Sequence, residues 1–224
     1  MDDYLEGPAK AEEPHPSDVR RSLVTAAAHL LAENGPTALS ARKVANAAGT
    51  STMSVYTRFG SMEALVRAVV DEGFAVLEGG LLAVPTTEDP LRDVAAQTAA
   101  YLRFASENAA LYAVMFGTVP LGGFRPVTPE ELQAGRRETL DRVGANLARA
   151  VDTGRLRPAK TSDLAFTWWS AVHGYAMLES SGHIHAEPGR SRVLERLMVA
   201  LFTGLGDDLD GATGSVRAGR DWSG

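Results

Sequence analysis

The chain has 224 residues, 45% hydrophobic and 22% charged, which suits a globular protein with one medium and one small domain. It holds no cysteine, which excludes disulfides, thiolate metal sites and a cysteine nucleophile, and fits a reducing, cytoplasmic setting. The net charge is −6 but uneven: residues 1–16 carry −4, residues 17–65 carry +2 and the remainder −4. A mildly basic segment in an acidic chain is the charge pattern of a small nucleic-acid-binding head on a body with another task.

Residues 1–16 are polar, acidic and proline-containing, and read as a disordered tail without the apolar core of a secretory signal. Ser17 then caps a helix with Leu23, Ala27, Leu30 and Leu31 at helical spacing, stopped by Gly35-Pro36. Ser40 caps a short second helix that Gly49 ends, and a third runs from about Thr52 to Arg58. Ser61 starts a long fourth helix, with Leu65, Val69, Phe74 and Leu77 inward, closed by Gly79-Gly80. After Pro85 and Pro90, helical patterns cover about Asp89 to Glu107 and Leu111 to Phe116.

Residues 117–127 hold three glycines and two prolines and read as a loop, after which Thr128-Pro129 opens a helix ended by Gly154. Helices near 162–181 and 190–205 follow, and the Gly- and Asp-rich residues 207–224 read as a second disordered tail. The uncharged run Leu164 to Leu178 is fifteen residues, short of the ~20 that span a bilayer. No strand alternation appears. The expectation is an all-α fold of about nine helices: a head over 17–62, containing a helix-turn-helix, and a body over 63–206.

The segment from Ser40 to Leu65 carries the most information. Ala45 permits close approach of two short helices, Gly49 permits a positive φ in the tight turn, and Val44, Ala48 and Val55 form a small core. The third helix then presents Thr52, Met53, Ser54, Thr57 and Arg58, side chains able to approach base edges or phosphates in a major groove. The run LSARKVANAAGTSTMSVYTRFGSMEAL, Leu39 to Leu65, closely resembles the TetR family of regulators, with Tyr56-x-x-Phe59 and Ser61-x-Glu63-Ala64-Leu65 as its specific parts. The resemblance implies a recognition helix from Thr52, with Ser51 at its start, a phosphate contact by Tyr56, and backbone or base contacts by Ser40 and Arg42. Met62 stands where the family usually has a phosphate-binding lysine, a role that Thr37, Lys43 or Arg58 can take over.

YLRFASENAALYAVMFG (Tyr101 to Gly117) and WWSAVHGYAMLESSG (Trp168 to Gly182) resemble the C-terminal domain of a TetR subgroup named for a Trp-His-Gly motif. That implies a ligand-sensing, dimer-forming body. Tyr101, Phe104, Tyr112, Met115, Phe116 and Trp168 converge from three helices as an apolar lining, with His173 as a polar group; plain core packing is the competing reading. The helix of Trp168 and the stripe Leu194, Leu197, Met198, Leu201, Phe202 and Leu205 suit a homodimer built through the last two helices. His183-x-His185 has no acidic partner and reads as a loop pair rather than a metal site.

These readings add up to a homodimeric, ligand-responsive transcriptional regulator; the resemblance implies repression as its sense, with activation as the alternative. It binds a pseudo-palindromic double-stranded operator and a largely apolar small-molecule effector, with no cofactor, metal, membrane or catalytic role. An all-α enzyme would need a nucleophile with its base, and the Glu179, Ser180, Ser181 cluster lacks one. A helical protein-binding adaptor is the other rival, and it predicts no affinity for DNA.

Overall fold

The computed structural model describes residues 16–116 and 129–220, and within them every regular element is helical. The first helix, α1 (Pro16–Asn34), begins one residue before the expected cap Ser17 and buries Leu23, Val24, Ala27 and Leu31. Gly35 turns the chain at φ +72° into a short 3-10 turn, Pro36–Ala38. Three helices follow, each opened by a serine. For α2 (Ala41–Ala47) the Ser40 hydroxyl accepts from the Lys43 N–H. Ser51 accepts from Ser54 N–H at the start of α3 (Thr52–Phe59), and Ser61 accepts from Ala64 N–H at the start of α4 (Met62–Leu82). Each cap satisfies an N–H that a helix start otherwise leaves open.

Helix α4 does not stop at Gly79-Gly80; it continues to Leu82. One of its faces, with Leu65, Ala68 and Val69, closes a small core shared with α1, α2 and α3. The other, with Val66, Val70, Leu77 and Leu81, enters the large core of the body. The body adds α5 (Pro90–Glu107), α6 (Ala109–Met115), α7 (Pro129–Asp152) and α8 (Thr161–Ser180). The expected helix over 190–205 is divided into a π-helical turn, Arg190–Leu194, and α10 (Glu195–Leu205), and a short α9 (Ala186–Gly189) precedes it.

The expected disordered tail over 207–224 needs correction. Residues Leu209–Arg220 form α11, which lies along α5 and buries Ala212, Ser215, Val216 and Gly219. Those positions share one helical face. At Gly219 a Cβ would come within 2.5 Å of Ala95 Cβ and of the Arg92 carbonyl oxygen, so glycine permits the close approach. Arg155 ties the region together: it donates to buried Asp207 at 2.6 and 2.7 Å and to Asp89 at 3.2 Å. Asp89 also caps α5 and accepts from Ser215 at 2.6 Å. The tail expected over 1–16, the loop expected over 117–127, the cap Thr128 and residues 221–224 lie outside the described residues, apart from Pro16 in α1. No helix among the described residues is long and apolar enough to cross a membrane.

Candidate DNA-contacting head and effector cluster

The head is built around side chains that the sequence singled out for packing. Val44, Ala45 and Val55 are completely buried, and they fix α2 against α3. Between these helices Gly49 adopts φ +66°, the Gly49 N–H donates to Asn46 O at 3.1 Å, and Thr50 N–H donates to Ala45 O at 2.9 Å. The turn thereby satisfies carbonyls at the end of α2 and aims α3 outward.

On α3, Met53 is 71% and Tyr56 47% exposed, and Thr52, Thr57 and Arg58 are exposed beside them. An exposed methionine and tyrosine on a short helix, with no apolar neighbour covering them, stand out from ordinary packing. Thr37, Ser40, Arg42, Lys43 and Ser51 are also exposed, around the starts of α2 and α3. Ser54 is half-buried instead, its hydroxyl 2.8 Å from Thr50 Oγ1 and 3.1 Å from Ser51 Oγ, so it serves the turn. Ser40 and Ser51 accept backbone N–H groups as caps, and Ser40 keeps its own proton to donate. Met62 is half-buried against the head core, which accounts for an apolar side chain at that position. Arg20 of α1 lies 5.0 Å from the centre of the Phe59 ring and holds the end of α3 to α1.

In the body, the residues read as an apolar lining form an aromatic cluster. Tyr101 meets Trp168 and Tyr112 edge-on at 5.7 and 6.0 Å, and Tyr112 meets Phe116 at 4.6 Å. His173 lies 4.6 Å from the Phe116 ring centre and stacks on Trp169 at 4.9 Å. Phe104 is buried in the same core about one turn beyond Tyr101. Met115 is buried against α4 at Gly73, where a Cβ would come within 2.8 Å of its sulfur.

Within this apolar shell runs a polar chain. Trp169 Nε1–H donates to Tyr101 Oη at 3.1 Å. Tyr101 and Tyr112 hydroxyls are 2.9 Å apart, and His173 Nδ1 is 2.6 Å from Tyr112 Oη and 3.2 Å from Tyr101 Oη. With His173 neutral and its proton on Nε2, Tyr112 donates to the single Nδ1 lone pair and Tyr101 donates to Tyr112. Burial, first of all, and then neighbouring Tyr101 push the Tyr112 phenol far above its ordinary range, so it stays protonated and able to donate. Trp168 turns its N–H the other way, to Thr98 Oγ1 at 2.9 Å.

Sequence reading placed Trp169 in the Trp-His-Gly motif but not among the lining residues, and it missed Thr98. Trp169 and His173 are four residues apart on α8, so their contact was accessible from helix geometry. Thr98 had no such signal, because it is read only once α5 and α8 are placed together. His183 is 2.9 Å from the Ser181 hydroxyl, and among the described residues no group of His, Cys, Asp or Glu side chains suits a metal ion.

Comparison with known proteins finds two family models that match the chain. Residues 23–69 match the model of the tetR family of bacterial regulatory proteins. Residues 94–201 match that of the tetracyclin repressor-like C-terminal domain. No curated protein sequence matches the chain. A protein of unknown function from Rhodococcus sp. RHA1 shares 25% identity at a TM-score of 0.71, over 90% of this chain and 100% of that one. RolR in complex with resorcinol has the same fold at 17% identity and a TM-score of 0.66, over 90% and 94%. The TetR family transcriptional regulator PfmR from Thermus thermophilus does so at 23% and 0.54, over 69% and 84%. The head with its helix-turn-helix, the helical body joined to it through α4 and the two family matches lead to one conclusion: the chain belongs to the TetR family of DNA-binding transcriptional regulators.

Proposed function

We propose that this protein is a homodimeric repressor whose grip on a pseudo-palindromic operator is released by a small, largely apolar effector. The observation that carries this reading is the position of α4, one face in the head core and the other in the core that holds the aromatic cluster. Leu111 of α6 packs against both cores as well, next to Tyr112. A molecule that rearranges the cluster therefore acts on the two helices that orient the head. Two recognition helices about 34–36 Å apart meet adjacent major grooves, and a changed spacing loses one of them. Operator and effector then oppose each other reciprocally, by about 1–3 kcal/mol.

In this reading Tyr56, Thr52, Met53, Thr57 and Arg58 meet the DNA from α3, and Thr37, Ser40, Arg42, Lys43 and Ser51 meet its backbone from the flanking helix starts. Ser54 acts through the turn that it holds. Two-fold pairing through α8 and α10 is supported by the exposed apolar side chains Phe166 and Leu178 on α8 and Val193 beside α10. Hydroxyls and an imidazole enclosed by aromatic rings suit a small aromatic effector with a polar group, the chemistry of the resorcinol bound by RolR.

In vitro selection of DNA fragments bound by the purified protein tests the reading. The expected result is a palindromic motif, protein of dimeric mass, and at least tenfold weaker binding by Tyr56→Ala, worth about 1.4 kcal/mol or more. Salt-sensitive binding without sequence preference, or a monomer on DNA, would sink it.

A further inference from the structure

We propose that the crevice between α5, the π-helical turn and α11 is a second small-molecule site, distinct from the aromatic cluster, for an uncharged and largely apolar ligand with one hydrogen-bond acceptor. Its volume is about 280 Å3, just under the usual range for drug-sized ligands and suited to a single-ring or short-chain molecule. The floor is apolar: Ala99 and Leu102 from α5, Leu194 and Met198 from the opposite wall, and Val216 from α11.

The rim selects for charge. Glu187, Arg190, Glu195 and Arg220 contribute two charges of each sign, and Arg220 already donates to Glu195 at 2.7 Å. A balanced rim over an apolar floor gives an ion no net attraction to offset its desolvation. Arg190 supplies the polar contact. Its Nε pairs with the Glu179 carboxylate at 3.5 Å, so the contact falls to the terminal N–H groups of the guanidinium, Arg190 being part of the crevice lining. A guanidinium presents a fork of N–H donors to any acceptor that reaches it, and a ligand carbonyl or ether oxygen is one.

The backbone points to the same place. Arg190, Ser191 and Leu194, which line the crevice, all belong to the π-helical turn. Such turns interrupt regular helices rarely, and frequently at functional sites. Thr98 also lines the crevice, and its hydroxyl accepts from Trp168. An occupant thus touches the residue that anchors Trp168 from the far side of α5.

The test uses the full chain and para-fluoroacetophenone, a neutral single-ring ketone, followed by fluorine NMR. Saturable binding is expected, abolished by Ala99→Phe, which fills the crevice, and weakened about tenfold by Arg190→Lys, which keeps the charge and removes the guanidinium fork. Because the chain lacks cysteine, Ser191→Cys places a sole thiol on the crevice wall. The probe is expected to slow its reaction with a neutral maleimide, a readout that stands even where Ala99→Phe fails to fold. Absence of saturable binding overturns the proposal. So does binding that Tyr112→Phe removes and that leaves the thiol unprotected, since the probe then occupies the aromatic cluster.

Discussion

At Gly49 the backbone takes φ +66°, and a Cβ there would meet nothing within 4 Å. The requirement for glycine is therefore conformational, and Gly49→Ala is expected to cost about 1–2 kcal/mol, read as a lower urea midpoint at unchanged slope. Tyr175 makes a pH-dependent case. Its hydroxyl is buried without a hydrogen-bond partner, and burial, followed by the charge of Glu179, pushes its pKa from 10.0 up to about 12. The folded state then holds this proton more tightly than the unfolded chain does. Its contribution is present in full below pH 10 and is lost as the pH rises toward 12. Tyr175→Phe should be nearly neutral at pH 7, because no hydrogen bond is given up, and should flatten the fall in stability between pH 10 and 12. Denaturant midpoints at a series of alkaline pH values check both parts, and equal slopes in the two proteins would contradict the assignment.

Among the elements, α11 shows how packing overrides composition. With Gly211, Gly214 and Gly219 in twelve residues it is a poor helix former by itself. Its buried positions Ala212, Ser215, Val216 and Gly219 nonetheless fall on one face, and that face is covered by α5. Gly219→Ala places a methyl group against the α5 backbone, and a loss of about 1–3 kcal/mol is expected. Thermal unfolding measures the loss, and limited proteolysis should show earlier cleavage within α11. The first turns of α2, α3 and α4 are the opposite case, since Ser40, Ser51 and Ser61 announce them locally through their caps.

At the scale of the molecule, Arg155 joins segments that are distant in sequence. It pairs with Asp207 before α11 and with Asp89 before α5, and the Asp207 hydrogen bonds raise its own pKa above the ordinary value. Removing it leaves the Asp207 carboxylate buried without its partner. Arg155→Ala is expected to cost about 3 kcal/mol, and Arg155→Ala combined with Asp207→Asn less than the sum of the single changes. A double-mutant cycle by chemical denaturation decides, and strict additivity would mean that the pair is not coupled.

What could be read from the residues was what is encoded locally. Serine caps, the turn glycine and apolar spacing give the helix-turn-helix within one short stretch, so the helix-turn-helix and its exposed α3 face were legible in Leu39 to Leu65, while the all-α class was legible in helical spacing along the whole chain. The candidate effector residues were legible as a composition, several aromatics and one histidine, but not as a network. Which hydroxyl meets His173, that Trp169 joins it and that Thr98 holds Trp168 depend on how α5, α6 and α8 lie together. The same holds for α11, read as a tail because glycine is a weak helix former in isolation, and for Ser54, whose hydroxyl turns inward to the inter-helix turn. Local sequence determines caps, turns and amphipathic faces, because their energies are spent within a few residues. Only the tertiary structure decides which faces meet, because burial and buried hydrogen bonds arise between segments that the chain brings together from far apart.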